Sequence, residues 1–486
     1  MTAILNKLFS GKKRELDMTE GSISGNLLKF ALPLLVGNLF QQLYNMVDTW
    51  VIGQTGENGA YAAVGSVGPI INILIGFFSG LATGAGVIIS QHFGAKNREG
   101  VRKAVHTSMV MTLVMGVAFT IIGVTMAPLM LKLMLRDTTS STIYPFAKSY
   151  LTIYFSGVIG LMLYNMGAGI LRAVGDSQRP LFFLIVSAVT NTILDLVFVL
   201  GFNWGAAGVA WATIIAQWLS AILTMTVLIK SDSWVRLSLK ELRCDLEMLK
   251  RIIAIGIPSA LQMALTAFAN VFVQSYIGNV NGDQATNLGG WTTYSKVDMF
   301  IFLPVQSLSM AATTFVGQNL GMGNVKRAKT GAHLAWLMST LTSLVIIIGV
   351  EIFAKPLAAV FNSDPGVVAA AEELLHLFTP FYLFCSVNQI FSAALRGAGN
   401  TRAPMIIMLS AFIGVRQLYL YVVSTFVSNN LIPVGFGYPV GWMVCAAVMF
   451  IYYRCFNFEK ANVAAKIVRN VEKPEENSAV LTGNDE

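Results

Sequence analysis

From residue 27 to residue 453, long apolar runs alternate with short polar breaks. Twelve of the runs reach the roughly 20 residues that a helix needs to cross a hydrocarbon core about 30 Å thick. They fall at 27–53, 62–90, 103–127, 143–170, 180–202, 206–229, 251–278, 292–318, 327–353, 367–394, 403–427 and 433–453. Inside each run the apolar residues are continuous, which predicts helices. A membrane barrel would instead change face at every second residue. The expected fold is an all-α integral membrane protein with twelve transmembrane helices.

Composition supports this reading: 55% of the 486 residues are hydrophobic and only 12% are charged, with a mean hydropathy of +0.64. That mixture excludes an ordinary soluble domain. An even number of crossings places both ends on one side. Of the 33 Lys and Arg, 27 fall at the two ends or in the even-numbered breaks, among them Lys96, Arg102, Arg172, Arg179, Lys326, Arg396 and Arg402. Basic residues concentrate on the cytoplasmic side, so the expectation is a multi-pass cell-membrane protein with both termini in the cytoplasm. The net charge of +8 is then a topology signal and an attraction to the anionic lipid bilayer, with no nucleic acid among the partners.

The first residues lack the short apolar core of a cleavable signal, and Phe9 to Gly21 reads as a soluble lead-in. The tail after Phe456 turns polar and acidic and is expected to be disordered at its end. Cys244, Cys385, Cys445 and Cys455 show no metal or redox spacing, and His92, His106, His333 and His376 are equally scattered. No cofactor is expected.

Two halves of the chain repeat. Leu171 to Pro180, LRAVGDSQRP, matches Leu395 to Pro404, LRGAGNTRAP, at a shift of 224. Gln91 to Asn97, QHFGAKN, matches Gln318 to Asn324, QNLGMGN, at 227, and Ala31-Leu32-Pro33 matches Gly256-Ile257-Pro258 at 225. Six helices per half is an even number, so both halves enter the membrane in the same direction. They are expected to be related by a pseudo-twofold axis along the membrane normal. The division is a cytoplasmic segment 1–26, a first lobe 27–229, a linker 230–250, a second lobe 251–455 and a cytoplasmic tail 456–486. The charged linker reads either as a plain connection or as an amphipathic interfacial helix.

No enzymatic motif stands out, and the phosphate-binding loop that ends in Gly-Lys-Ser or Gly-Lys-Thr is absent. Gly80-x-x-x-Gly84 reads as close helix packing. Ionisable groups at membrane depth carry more information, because they are costly there. Asn191 and Asp195 lie four residues apart in the fifth run and so share a helix face. A rise of about 1.5 Å per residue puts them roughly 16 and 22 Å into the core. Thr213 in the sixth run and Asp48 late in the first count to converging depths. Two carboxylates, an amide and a hydroxyl make an oxygen-rich cluster suited to Na⁺ or to a carried proton; the alternative is a structural network joining helices.

These residues resemble the multidrug and toxic compound extrusion (MATE) family. The likeness spans about Leu27 to Tyr453 and rests on the pattern from Pro33 to Asp48, the Gln-x-x-Gly ends at Gln91 and Gln318, and both Leu-Arg-x-x-Gly strings. It rests also on Asn191-x-x-x-Asp195 followed by Thr213. The resemblance implies a cation-coupling site at Asp48, Asn191, Asp195 and Thr213, with a helix hinge at Pro33. Another branch of the family carries acids in its seventh and tenth helices, where this chain has Thr266 and Cys385. That departure argues against a carboxylate site in the second half. Arg416, repeat-equivalent to Asn191, reads as a substrate contact or as a hydrogen-bonded structural residue, and Lys296 with Asp298 reads as an interfacial pair. The function implied is an antiporter, not an enzyme, that exports bulky, often cationic and amphipathic small molecules in exchange for Na⁺ or H⁺, acting as a monomer. The alternatives are a flippase for a lipid-linked saccharide, which would need basic residues in its cavity beyond Arg416 and Lys148, and a membrane-embedded receptor or enzyme.

Overall fold

A computed structural model describes residues 15–54, 58–134 and 143–461. The lead-in before residue 15 and the tail after residue 461 lie outside them, as does the disorder expected there. Among the described residues eleven helices are long and apolar enough to cross a membrane, and a bent pair makes the twelfth span. In chain order the spans are Ile23–Gly53, Ala63–Gly94, Arg98–Lys132, Tyr144–Ser156 with Val158–Ala173, Gln178–Gly201 and Gly205–Lys230 in the first half. The second half has Leu246–Ile277, Gln284–Gly321, Val325–Ala359, Pro365–Gly397, Arg402–Val427 and Leu431–Cys455.

Where a polar side chain caps the first turn, a helix starts ahead of its apolar run. The Ser22 side chain accepts from the Gly25 N–H and starts the first span at Ile23, ahead of the expected 27. Asp245 and Asp283 accept from the N–H groups of Met248 and Thr286 and start the seventh and eighth spans in the same way. Large apolar side chains such as Val114, Ile121, Val345, Ile348, Ile352 and Leu418 face outward, the surface a hydrocarbon core requires.

Several helices are broken at defined places. The fourth span bends by 48° at Gly157, and the tenth is interrupted near the corresponding place by a tight turn over Thr379–Phe381 that contains Pro380. The fifth span widens into a π-turn over Leu196–Gly201, starting just after Asp195. The eleventh does so over Ser410–Val415, just before Arg416, and again over Val423–Val427. The first span continues as one helix through Pro33, although the ring removes one backbone hydrogen bond at that turn.

The halves meet through small residues and a reciprocal pair of glutamines. A side-chain carbon on Gly84 would lie 2.4 Å from Gly256 Cα, and one on Gly80 2.3 Å from Ala260 Cα, so only glycine lets the second and seventh spans approach this closely. At the ends of the second and eighth spans, Gln91 Nε2 donates to the Gly397 carbonyl at 2.9 Å and Gln318 Nε2 donates to the Ala173 carbonyl at 3.0 Å. Each glutamine thus reaches from its own half into the other, at positions matched by the repeat.

The same end of the bundle, called here the basic end, carries two further features. Residues 231–245 form no amphipathic helix. Val235 and Leu237 are buried, Trp234 packs on Phe93, and Glu241 pairs with Arg102, so the connection lies on the first half as an irregular strap. Residues 15–21 are likewise docked, unlike a free lead-in. Met18 is buried, its N–H donates to Gln318 Oε1 at 2.9 Å, and its carbonyl accepts from Asn319 Nδ2 at 3.2 Å and from Arg327.

Candidate functional site

The fifth span presents Asn191 and Asp195 on one face, both buried, at 2% and 0% exposure. The late part of the first span brings Asp48 against them, so that the two carboxyl groups are close enough to interact directly. Among the described residues no basic side chain pairs with them. Asp48 Oδ1, both Asp195 oxygens and both amide atoms of Asn191 are buried without a hydrogen-bond donor or acceptor. Buried polar atoms are paired in nearly every case, so a cluster of orphans marks a place where something else belongs. Two carboxylates facing each other in a low-dielectric interior repel strongly unless a proton or a cation lies between them. The donors are all oxygen apart from one amide nitrogen, which suits a hard cation such as Na⁺.

Thr213 stands apart from this trio. Its hydroxyl is half-buried and donates to the Val209 carbonyl of its own helix at 2.9 Å. That bond leaves its oxygen lone pairs free to accept or to ligate, but no hydrogen bond joins Thr213 to Asp48, Asn191 or Asp195 among the described residues. Two phenols that were not read from the sequence lie near the pair, with a third behind them. Tyr44 lies on the first span near Asp48, and Tyr150 lies on the fourth span near both carboxyls. Tyr154 stacks on Tyr150 with ring centroids 6.3 Å apart and accepts from Gln217 Nε2. Four-residue spacing within the fourth span was the one signal for the tyrosine pair.

The second half holds a different arrangement. Arg416 is 2% exposed; its Nε donates to the Phe412 carbonyl at 3.1 Å and its Nη2 to Asn270 Oδ1 at 3.0 Å. Its guanidinium also lies over the Tyr438 ring at 4.8 Å, which ties the seventh, eleventh and twelfth spans together. Thr266 donates to the Gln262 carbonyl of its own helix, and Cys385 is buried. Lys296 and Asp298 are not a pair. The Lys296 ammonium lies over the Phe361 ring at 5.9 Å, whereas Asp298 turns inward and accepts from the Tyr382 hydroxyl. Successive residues of a helix point about 100° apart, so two positions of separation send these side chains to different faces.

Between the halves, toward the basic end, lies a cavity of about 80 Å³ lined by Arg172 and Arg396 together with Thr83, Ser90, Thr313 and Thr314. The sequence had assigned both arginines to polar connections outside the membrane. The helices that carry them, Val158–Ala173 and Tyr382–Gly397, extend past those limits and turn the residues inward.

Comparison with known proteins agrees with this architecture. A family model described as MatE matches the chain twice, over residues 33–197 and 258–422, one match in each half. The chain is 30% identical over 438 residues to the probable multidrug resistance protein YpnP of Bacillus subtilis, covering 90% of this chain and 96% of the relative. It is 26% identical over 455 residues to the probable multidrug resistance protein NorM of Thermotoga maritima, covering 91% and 95%. A solved structure described as the outward-facing conformation of a multidrug resistance MATE family transporter superposes with a TM-score of 0.85 at 23% identity, covering 93% of this chain and 99% of that one.

Proposed function

The chain belongs to the MatE family of multi-pass membrane transporters, and from that premise we propose that it is a secondary antiporter exporting bulky, amphipathic and often cationic compounds in exchange for inward Na⁺ or H⁺. The relatives described as multidrug resistance proteins support the cargo class. The observation that carries the coupling is the pair of facing carboxyls, Asp48 and Asp195, beside the unpartnered amide of Asn191. Thr213, one helix away, completes the proposed site when its hydroxyl turns toward the trio.

A coupling ion must favour one conformation over another, since a ligand that binds both equally shifts nothing. When the pair is empty, repulsion drives the first span away from the fifth; a bound proton or Na⁺ removes the repulsion and holds them together. Pro33 supplies the hinge for that movement, because the backbone hydrogen bond missing at its ring is the weakest turn of the helix. The two lobes, 27–229 and 251–455, then rock about the interface between them. In this reading the basic end and both termini face the cytoplasm of a cell-membrane protein that works as a monomer, and Arg416 holds the second lobe's wall in place beside the cargo.

The test is efflux of a fluorescent cation from sealed vesicles under an imposed Na⁺ gradient or an imposed H⁺ gradient. Asp48→Asn and Asp195→Asn are each expected to abolish the gradient-stimulated component, and the gradient that drives the unaltered protein identifies the ion. Undiminished gradient-driven efflux in both variants would sink the coupling assignment.

A further inference from the structure

We propose that the cavity between the halves is a subsite for the anionic group, carboxylate or phosphate, of an amphipathic cargo, held by Arg172 and Arg396. This deepens the transport reading and rests on it, since it assumes that the space between the lobes receives the cargo.

Arg172 and Arg396 occupy the last turns of their helices, are related by the 224-residue shift of the repeat, and line the same cavity from opposite halves. Neither has an acidic partner among the described residues. Arg396 is 5% exposed; its Nη1 donates to Ser392 Oγ at 3.0 Å, its Nη2 reaches Ser309 Oγ at 3.4 Å, and its Nε is buried with no partner. Other buried arginines are handled differently. Arg179 has Asp176 at 3.4 Å, and Arg416 has Asn270 and two ring faces.

Two guanidinium groups beside one small cavity repel each other, and the buried one, Arg396, is costly to keep without a counter-charge. An anion entering the cavity removes both penalties. Planar guanidinium donors match the oxygens of a carboxylate or phosphate, while the hydroxyls of Thr83, Ser90 and Thr313 donate to carbonyls of their own helices and leave the guanidinium groups as the cavity's charged donors. Met263 and Met310 on the same wall give the apolar part of the cargo an adaptable surface. A volume of about 80 Å³ suits one anionic group, with the body of the compound following as the halves part.

The experiment is equilibrium binding to the purified full chain in detergent, read by fluorescence anisotropy, with rhodamine B and its ethyl ester. The two dyes share a cationic ring system and differ in the carboxylate. The unaltered protein is expected to bind the carboxylate dye about tenfold more tightly than the ester, and Arg172→Gln or Arg396→Gln to weaken the carboxylate dye about tenfold while leaving the ester within about twofold. Ester binding reports that the variants are folded, and Arg396→Lys should restore part of the preference. Equal affinity for the two dyes in the unaltered protein would overturn the proposal, as would variants that weaken both dyes alike. Inorganic phosphate is titrated calorimetrically as the free-ion arm; phosphate binding as tight as the carboxylate dye would assign the site to a free anion and overturn the cargo assignment. No gradient is applied, so the anion preference is read whether or not Asp48 and Asp195 couple transport, and gradient-driven efflux of the ester tests that pair independently.

Discussion

Asn191 shows what the candidate site costs the protein. Its amide is buried at 2% exposure, and neither its oxygen nor its nitrogen has a partner. Leaving such groups unpaired costs about 1–3 kcal/mol in a folded protein. Asn191→Leu, close in shape and free of polar atoms, is therefore expected to raise the melting temperature of the ion-free protein in detergent and to remove gradient-driven efflux. A melting temperature that falls would show that the amide has a stabilising partner and that the site is a structural network. The four-residue spacing of Asn191 and Asp195 was readable in the sequence, because helical periodicity puts such a pair on one face. Their approach to Asp48 was readable only as a matching depth, and the phenol of Tyr150 not at all, since a sequence carries no rotation of one helix about another.

At the scale of elements, what holds the basic end together is segments that looked unstructured. Residues 15–21 are tied down by Gln318, Asn319 and Arg327, and by Asp17, which accepts from the Lys96 ammonium at 2.6 Å. Burial pushes the Asp17 carboxyl up, but the hydrogen bonds from Lys96 and from the Thr19 hydroxyl and amide outweigh it and hold the group below its ordinary 3.8. A depressed carboxyl contributes stability that is present above the ordinary value and is lost as pH falls through the folded-state value. Protease protection of residues 15–21 should therefore be level from neutral pH down to 3.8 and decline below it, while Asp17→Asn should start less protected and show no such decline. A steep loss between pH 5 and 7 would show that another group governs the contact. The effect is modest, because a partly exposed ion pair is worth about 0.2–1 kcal/mol. The π-turns after Asp195 and before Arg416 were equally hidden, as one extra residue in a helical turn leaves no trace in an apolar run.

Across the whole molecule the repeat is a working contact as well as a duplication. Gln91 and Gln318 exchange hydrogen bonds with the opposite halves, and a side-chain carbon placed on Gly317 would lie 3.3 Å from Ser90 Cβ, another pair matched by the 227-residue shift. That spacing is close to the range a disulfide spans. In a background with Cys244 and Cys455 replaced, Ser90→Cys with Gly317→Cys is expected to cross-link under mild oxidation and stop transport, with activity returning on reduction. Transport that continues through a complete cross-link would show that the halves need not part at the basic end.

The twelve crossings, the two halves, the side that concentrates basic charge and the identities of the acidic and amide groups at depth were all legible in the order of residues. Each of these follows from hydrophobic length, residue spacing or chain repetition, which are properties of neighbours along the chain. The tertiary structure alone decided which groups face one another across helices. It joined Asp48 to Asp195, separated Lys296 from Asp298, left Thr213 bonded to its own helix, and turned Arg172 and Arg396 into a cavity instead of a connecting loop. The physical reason is the same in every case: helix rotation and tilt are set by packing between spans, and lipid, being as apolar as the side chains that face it, imposes no such choice.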